Sequence, residues 1–288
     1  MSSSDEAIRF LSADGPISHA EWVLLGCPLE ETVTFRPGTQ EGPAGLRAAS
    51  HGLETYSPRL RRDLTDLSIA DAGDLDFLRG SRESGKDLVR PLETIRSKSA
   101  EIVRSEKRIL ALGGEHLITL PLAEAILEKH PDLLVLQLDA HADLRDAYEK
   151  DRYSHATVMR RLLDLSENVT LIQCGIRSGT REEMDFSRRS IQVQPAVQEN
   201  LSGVLDGFTG RPLYLSLDLD VLDPSVLPGT GTPEPGGWTF LELESIIHRL
   251  KGRNVVGADV VELSPGIDPS GISSVTAASA VREILLAC

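Results

Sequence analysis

Residues Leu133 to Asp143 read LLVLQLDAHAD, an apolar run that ends in three ionisable side chains. Short continuous apolar runs are typical of strands buried on both faces of a parallel sheet, so Leu133–Leu138 is predicted to be such a strand. Residues two apart point to the same side of an extended segment, so Asp139, His141 and Asp143 can converge on one point at its carboxyl end. Two carboxylates and one imidazole suit a divalent metal such as manganese. The alternative is a polar strand end with unrelated side chains.

The remainder of the chain alternates between strand-like and helix-like segments. Further strands are predicted at Trp22–Cys27, Arg108–Leu112, Val169–Cys174, Leu213–Leu217 and Val255–Val261. Helices are predicted, from apolar residues at helical spacing, at Gly45–Thr55, Val89–Ser105, Thr119–Lys129, Thr157–Leu165, Leu241–Lys251 and Val275–Leu286. Thr239, with Glu242 three positions on, could cap the helix that begins at Leu241. This alternation predicts an α/β fold, a three-layer α/β/α sandwich with a mainly parallel central sheet. Residues 1–288 are expected to form a single domain.

Two more polar groups follow predicted strands. Asp218 and Asp220 come after one strand, and the glycine pair Gly113-Gly114 with Glu115 and His116 comes after another. Alone, each group has an ordinary interpretation, because paired aspartates also start turns and single histidines often cap helices. However, the carboxyl ends of parallel strands share one edge of the sheet, where ligands collect. Together the three groups supply four aspartates and two histidines, which is a suitable ligand set for two metal ions.

Composition and charge narrow the class of protein. The net charge of −14 disfavours binding to nucleic acid and to anionic membrane surfaces, and it attracts cations. The three cysteines are widely spaced, which fits no disulfide framework and agrees with a cytoplasmic location. The N-terminus lacks the pattern of a signal peptide, and no apolar run approaches the roughly 20 residues that span a bilayer. A soluble cytoplasmic protein without nucleic-acid or membrane partners is therefore expected.

Two segments between the predicted elements are interpreted as functional loops. Leu144–Ser154 is highly charged and follows the first motif, and Leu222–Gly237 is rich in proline, glycine and threonine. His155 follows the charged loop and is a candidate acid–base group. The alternative for His155 is a helix N-terminal residue without a chemical role.

These residues resemble the ureohydrolase family of arginases, agmatinases and their relatives, and the likeness runs through nearly the whole chain. Within the family, agmatinases and N1-aminopropylagmatine ureohydrolases are the most similar. The matching blocks are Phe35–Thr39, Asp71–Asp74, Gly113–His116, Asp139–Asp143, Ser216–Pro224, Pro228–Pro235 and Gly257–Glu262. The resemblance implies an arginase-like fold and a hydrolase that splits a guanidino compound into urea and an amine.

The resemblance also implies a role for each matching residue. It implies two Mn²⁺ ions, one with His116 and Asp143 as terminal ligands, the other with His141 and Asp220, and both bridged by Asp139 and Asp218. Asp143 is then expected to accept a proton from the attacking water. His155 is expected to transfer a proton, Glu262 to bind the guanidinium group, and Thr232 to lie on the substrate side of the site.

The chain departs from the family at Glu115, where aspartate usually precedes the histidine. This position is not a ligand, so the longer side chain is expected to act through hydrogen bonds. Ala156 stands where glycine is common, and little effect is expected.

The identity of the substrate depends on the loop after Asp143. That loop contains no asparagine of the kind arginases use to bind an α-carboxylate, whereas Asp146, Glu149 and Asp151 could attract a distal ammonium. The alternative for these three acids is that they are solvated surface charges. Agmatine, giving putrescine, is thus the first expectation, and N1-aminopropylagmatine, giving spermidine, is the alternative. Guanidinobutyrate is disfavoured, although Arg145 or Arg152 could bind its carboxylate.

Other classes of protein remain as alternatives. A metal-dependent deacetylase would normally use one zinc ion, and the two paired motifs argue against it. A non-catalytic regulatory paralogue would retain the metal site without turnover. The resemblance implies a homo-oligomer, a trimer or hexamer. Cobalt or nickel could replace manganese, because all three ions accept oxygen and nitrogen ligands.

Overall fold

The computed structural model describes residues 8–77, 88–187, 190–193 and 198–288. Eight strands form one sheet, in the order β4-β1-β5-β10-β9-β6-β7-β8, and every pairing between them is parallel. A small antiparallel pair, β2 with β3, lies outside it. The strands are β1 Trp22–Cys27, β2 Tyr56–Ser57, β3 Arg62–Asp63, β4 Ile69–Asp74, β5 Arg108–Gly113, β6 Leu134–Leu138, β7 Thr170–Cys174, β8 Ile191–Val193, β9 Leu213–Asp218 and β10 Val255–Val261.

Helices cover both faces of this sheet. They are α1 Gly42–Ser50, α2 Val89–Arg104, α3 Thr119–Leu127, α4 Val158–Leu165, α5 Arg181–Phe186, α6 Gln198–Asp206, α7 Phe240–His248 and α8 Ile272–Ala287. Helices α1, α6, α7 and α8 contribute buried side chains to one apolar core, and α2, α3 and α4 contribute to a second. The predicted three-layer α/β/α sandwich is confirmed. Among the described residues, no helix is both long and apolar enough to cross a membrane.

The strands supply both cores because successive side chains alternate between the faces of a sheet. In β6, Leu134, Leu136 and Leu138 pack into the core with α8, whereas Val135 packs into the core with α3. The central strands are therefore largely apolar, since neither face of the sheet meets water. This burial explains why a continuous apolar run was a reliable signal of a central strand.

Four adjacent strands bring their carboxyl ends together. In the middle of the sheet, β5, β10, β9 and β6 are neighbours, and Leu138 of β6 pairs with Leu217 of β9. Asp218 pairs in turn with Val261 of β10. Each strand is followed by polar residues that the sequence singled out, so these residues meet at one edge of the sheet.

The six predicted strands and six predicted helices are all present, with ends that differ by up to a few residues. The strand β4 was missed because its sequence, IADAGD, carries two aspartates and a glycine rather than an apolar run. The strand β8 has three residues, too few for a periodic signal. Helices α5 and α6 were also missed. The predicted cap of α7 is confirmed, because Thr239 and Glu242 form a reciprocal capping box.

Candidate active site

Three carboxylates surround the imidazole of His116. Its Nδ1 lies 3.2 Å from Asp139 Oδ2, 3.0 Å from Asp143 Oδ2 and 3.3 Å from Asp218 Oδ2. All four side chains are buried. Motifs from three different strand ends are thus joined at one nitrogen atom.

A second cluster shares Asp139 with the first. His141 Nδ1 lies 2.8 Å from Asp220 Oδ2 and 3.7 Å from Asp139 Oδ1. Asp139 therefore presents Oδ2 to the His116 cluster and Oδ1 to the His141 cluster. Each cluster brings three possible ligand atoms within 4.8 Å of one another. A carboxylate divided in this way is what a bridge between two metal ions requires.

A chain of hydrogen bonds fixes which nitrogen of His116 faces the carboxylates. The hydroxyl of Ser216 donates to Asp259 Oδ1 (2.9 Å), so its oxygen is left to accept from His116 Nε2 (2.9 Å). With its proton on Nε2, neutral His116 offers the lone pair of Nδ1. Tyr214 and Thr119 donate to Asp259 Oδ2 at 2.6 and 2.8 Å, which holds this carboxylate in place.

Two site residues adopt backbone conformations that side chains rarely take. Asp143 has φ of 53° and Glu262 has φ of 66°, both in the left-handed region. The expectation that Asp139, His141 and Asp143 converge because the segment is extended was therefore wrong in its reason. The left-handed turn at Asp143 directs this carboxylate towards His116. Such conformations are strained and cluster at functional sites.

The two clusters hold four carboxylates and two imidazoles, so carboxylates outnumber the groups that could balance their charge. Burial raises the pKa of Asp139 to about 7, and the charges of Asp143 and Asp220 contribute further. Burial likewise raises the pKa of Asp218 well above its usual value, with added effects of Asp220 and Asp139. His116 Nδ1 is a buried atom without a hydrogen-bond partner among the described residues. Buried carboxylates facing an unpartnered lone pair fit divalent metal ions, which would neutralise the repulsion.

These clusters line a cavity of about 270 Å³ that also contains the predicted substrate-side residues. Glu262 is buried, and its Oε1 accepts a hydrogen bond from the backbone N of His116 (2.7 Å). Thr232 donates to Asp220 Oδ2 over 3.3 Å. His155 lies at the cavity wall, with its Nδ1 3.0 Å from Thr32 Oγ1. The lining residues are Thr34, His116, His141, Asp143, Arg145, Tyr148, His155, Ala156, Ser178, Gly179, Thr180, Glu183, Asp218, Thr232 and Glu262.

Burial also changes the proton affinity of the residues around the clusters. Desolvation raises the pKa of Glu262 to about 8, against the hydrogen bond from His116 that lowers it. Desolvation lowers the pKa of His155 below its usual value, and the nearby charge of Asp143 opposes this effect. A half-buried histidine that stays neutral near pH 7 is suited to exchanging protons in either direction.

Several residues that support the site were not found from the sequence. Gln137 donates to Asp139 Oδ2 over 2.6 Å from the preceding strand. Arg177 donates to the backbone carbonyls of Asp220 and Glu234, at 2.7 and 2.8 Å, and so joins two of the loops around the site. The only available signal was a polar residue inside an apolar strand, as at Gln137 in LLVLQL.

A segment that matches the family but contains no proposed metal ligand also fixes a loop of the site. Arg36, in the Phe35–Thr39 block, donates to the backbone carbonyl of Pro228 over 3.0 Å and also to the carbonyl of Thr230. The loop that carries Thr232 is thereby fixed to the segment after β1.

The three loop acids expected to attract an ammonium group lie outside the cavity lining. Asp146 pairs with Arg161 over 2.9 Å, and Asp151 accepts from the backbone of Tyr153. Glu149 is exposed. The structure thus places these acids outside the cavity lining, paired with other groups or exposed, as the alternative of solvated surface charges expects. The cavity carboxylate on this side is Glu183, which was not predicted.

Glu183 is already engaged by neighbouring donors. It accepts from the backbone N of Thr180 (2.8 Å) and of Leu144 (3.2 Å), and it lies 3.4 Å from Arg145 Nε. Arg145 also stacks over the ring of Tyr148, 4.7 Å from its centroid. The far side of the cavity thus combines one carboxylate, one guanidinium and one aromatic ring.

A third group of possible ligands, Glu244, His248 and Glu283, lies between α7 and α8. Glu283 already accepts from Ser57, His248 and Arg282, and Glu244 pairs with Arg59. Because these partners neutralise both carboxylates, this group is a structural ion network rather than a second metal centre.

The fold and the site together define an α/β protein with a carboxylate–histidine centre for divalent metal ions at the carboxyl edge of a parallel sheet. The chain belongs to the arginase family, because the model described as "Arginase family" matches residues 20–287. The predicted membership is thereby confirmed. The chain is an enzyme of the ureohydrolase class, which hydrolyses linear amidine C–N bonds, and the alternative of a zinc deacetylase is disfavoured.

Individual relatives cover most of the chain. It is 40% identical over 281 residues to a protein named agmatinase from Bacillus cereus, which covers 96% of this chain and 95% of that protein. The N(1)-aminopropylagmatine ureohydrolase of Thermococcus kodakarensis is 37% identical over 250 residues, or 85% of this chain and 83% of that protein. The crystal structure of agmatine ureohydrolase of Thermoplasma volcanium matches with a TM-score of 0.87 at 30% identity, covering 98% of this chain and 94% of that one.

Proposed function

We propose that this enzyme hydrolyses the guanidino group of agmatine, giving putrescine and urea, at a centre of two manganese ions. The observation that carries this proposal is the position of the Asp139 carboxylate. Its Oδ2 faces the His116 cluster and its Oδ1 faces the His141 cluster, in one cavity. The relatives named agmatinase support agmatine as the substrate.

The metal centre is proposed to use His116 and Asp143 for one ion, His141 and Asp220 for the other, and Asp139 and Asp218 as bridges. Bound divalent ions supply Lewis-acid activation of water, which otherwise is a poor nucleophile at neutral pH. Oxygen and imidazole ligands suit manganese, whereas a thiolate-free set of this kind does not favour a soft metal.

Glu262 is proposed to bind the guanidinium group. Its carboxylate lines the cavity beside the clusters, and the bond from His116 N holds Oε1 in place. A charge-assisted hydrogen bond from the guanidinium to Glu262 would orient the carbon towards the attacking water and lower the pKa of this carboxyl. Thr232 is proposed to lie against the substrate, next to Asp220.

Proton transfer is proposed to involve two residues. Asp143 accepts a proton from the attacking water as its oxygen bonds to the guanidinium carbon. His155 receives this proton from Asp143 and donates it to the departing amine nitrogen when the C–N bond breaks. Urea and the protonated amine are the products.

The distal end of the substrate is proposed to lie near Arg145, Tyr148 and Glu183. An α-carboxylate, as in arginine, finds no asparagine there, and the charges of Arg145 and Glu183 offset each other. N1-aminopropylagmatine, giving spermidine, is the second candidate, since relatives with that named activity are 37% identical.

Further features of the molecule belong to the same proposal. The chain is proposed to form one domain, to assemble into a homo-oligomer, a trimer or hexamer, and to act in the cytoplasm. Sedimentation of the purified protein would measure the number of chains in the assembly directly.

The test of the proposed function is urea release from agmatine, N1-aminopropylagmatine, arginine and guanidinobutyrate, with and without added Mn²⁺. Manganese-dependent urea from agmatine is expected, together with a metal content near two ions per chain. Fastest turnover of N1-aminopropylagmatine would favour the second candidate. Protein that holds two metals but releases no urea from any of the four would contradict the proposal and favour a regulatory paralogue.

A further inference from the structure

A second chain of hydrogen bonds in the site, formed by His155, Thr32 and Glu115, bears on which ring nitrogen of a histidine carries the proton. His155 Nδ1 lies 3.0 Å from Thr32 Oγ1, and Thr32 Oγ1 lies 2.9 Å from Glu115 Oε2. Thr32 and Glu115 are buried, and neither is among the proposed metal ligands. The arrangement parallels the bond from His116 through Ser216 to Asp259.

The direction of each hydrogen bond follows from the number of donors. Glu115 Oε2 also accepts a hydrogen bond from the backbone N of Thr32 (2.8 Å), so this oxygen acts as an acceptor towards Thr32. The single hydroxyl proton of Thr32 therefore points to Glu115. The backbone N of His155 donates to Thr32 Oγ1 (3.0 Å) and occupies one of its two lone pairs.

One lone pair of Thr32 Oγ1 is then left to face His155 Nδ1. If Nδ1 lacked a proton, two lone pairs would oppose each other at 3.0 Å without a hydrogen between them. With a proton on Nδ1, the contact becomes an ordinary N–H···O hydrogen bond.

The competing donor to Nδ1 is the hydroxyl of Ser154, at 3.4 Å. That contact is longer than the one to Thr32, and Ser154 Oγ already accepts from the backbone N of Ala156. With a proton on Nδ1, only the long contact to Ser154 is lost. Without a proton on Nδ1, the shorter hydrogen bond to Thr32 is lost.

We infer that Thr32, with its hydroxyl proton held by Glu115, fixes neutral His155 in the tautomer that carries its proton on Nδ1. Nε2 is then the proton-transfer atom. It has no hydrogen-bond partner within the described part of the chain, and His155 lines the cavity. Thr32 and Glu115 are positioning residues, because they act through His155 rather than on the substrate.

The role of Thr32 and Glu115 in proton transfer through His155 rests on the proposed function. Nε2 takes up the proton that Asp143 has accepted from the attacking water, and the resulting imidazolium still donates its Nδ1 proton to Thr32 Oγ1. Nε2 then returns the proton to the amine nitrogen that leaves, so His155 ends the cycle neutral. Glu115, which stands where the family usually has aspartate, supplies the reach to Thr32.

The test is the ¹⁵N spectrum of the histidine side chains in the full-length protein, labelled on histidine and recorded at about pH 8, where imidazole is neutral. The protein is loaded with diamagnetic Zn²⁺, because Mn²⁺ would broaden the signals, and His155→Asn assigns the resonances of His155. The wild-type enzyme is expected to show the Nδ1-protonated tautomer. A proton on Nε2 instead would overturn the inference without reference to any activity.

Two variants of Thr32 provide the matched pair. Thr32→Ser keeps the hydroxyl and is expected to keep the tautomer. Thr32→Val keeps the branched shape but removes the acceptor, so the spectrum is expected to shift towards the Nε2-protonated form, with Ser154 as donor. An unchanged tautomer in Thr32→Val would equally overturn the inference.

The manganese enzyme gives the corresponding kinetic result. Thr32→Val is expected to lower kcat by about 10- to 100-fold with little change in KM, whereas Thr32→Ser is expected to retain most of the wild-type kcat. A higher KM with an unchanged kcat in Thr32→Val would contradict the positioning role. Absence of urea release from wild-type enzyme would refute the proposed function, while the spectra would still decide the tautomer.

Discussion

Glu262 Oε1 accepts a hydrogen bond of 2.7 Å from the backbone N of His116. The proposed guanidinium-binding carboxylate is thereby held by the same residue that presents Nδ1 to the metal cluster. Glu262 N also donates to the carbonyl of Gly114, so the two segments are joined twice. This double connection would keep the substrate carbon and the metal centre at a constant separation, as attack by a positioned water requires.

Substitution of Glu262 is expected to separate substrate binding from metal binding. Glu262→Gln retains an acceptor for His116 N but loses the negative charge, so kcat/KM for agmatine is expected to fall by about 100-fold or more. Metal content, measured by atomic absorption, is expected to stay unchanged. Glu101→Gln, on the surface of α2, is the control and is expected to have wild-type kinetics. A kcat/KM within about threefold of wild type would remove Glu262 from the proposed mechanism.

Metal binding is expected to stabilise the fold, because the metal ions neutralise buried carboxylates. At a free Mn²⁺ concentration about 100-fold above the dissociation constant, Tm is expected to rise by about 5 to 10 °C over the chelator-treated protein. Asp139→Asn removes the shared ligand and is expected to abolish most of this shift in a thermal unfolding scan. Asp132→Asn, at an exposed position, should behave as the wild type. An equal rise in Asp139→Asn would exclude Asp139 as a ligand.

The charge of Arg145 is expected to influence the choice of substrate. Arg145→Ala leaves Glu183 and the ring of Tyr148 without their cationic neighbour, so KM for agmatine is expected to fall and KM for guanidinobutyrate to rise. A change of a few-fold in the ratio of the two is expected, as is typical of half-exposed charges. Lys150→Ala, an exposed cation of the same loop, serves as the control. Equal effects on both substrates would place the distal group elsewhere.

A buried ion pair connects α1 to the edge strand β4. Arg47 Nε lies 2.7 Å from Asp71 Oδ2, and the two side chains are 5% and 0% exposed. Burial alone would raise the pKa of Asp71, but the hydrogen bond and charge of Arg47, together with backbone hydrogen bonds from Phe10 and Gly73, hold that pKa below its usual range. Arg47→Met is therefore expected to lower the free energy of unfolding at pH 7 by about 3 to 5 kcal/mol.

The pH dependence of this loss has a definite sign. Because the folded pKa of Asp71 is lowered, its stabilising contribution is present above the ordinary carboxyl pKa of about 3.9 and is lost as pH falls through the folded value. The difference between wild type and Arg47→Met in urea unfolding is thus expected to shrink below about pH 4. Arg96→Met removes an exposed pair with Glu93 and is expected to cost under about 1 kcal/mol at any pH. A difference that stays constant down to acid pH would contradict the assignment.

Local sequence patterns predicted most of the elements and most of the site. Apolar runs marked the central strands because those strands are buried on both faces, and Thr239 and Glu242 marked the start of α7 because a capping box is formed by neighbours in the chain. The edge strands β4 and β8 gave no such signal. The ligand motifs could be recognised since each lies within five residues of a strand end.

The contacts between those motifs depended on tertiary structure. Thr32 and Glu115 are 83 residues apart, and Thr32 and His155 are 123 apart, so no local pattern could reveal that they meet. The same holds for His116 with Ser216. The direction of Asp146 away from the cavity was also decided by a partner, Arg161, that only folding brings close.

The sequence by itself determined the α/β class, the central strands, the family and the identities of the candidate ligands, because these follow from local periodicity and from short ordered motifs. Only the tertiary structure decided how Asp139 divides its oxygens, which nitrogen each histidine presents and which charges face the cavity. Hydrogen-bond direction and desolvation depend on atoms within a few ångströms in space, and in this fold those atoms come from distant parts of the chain.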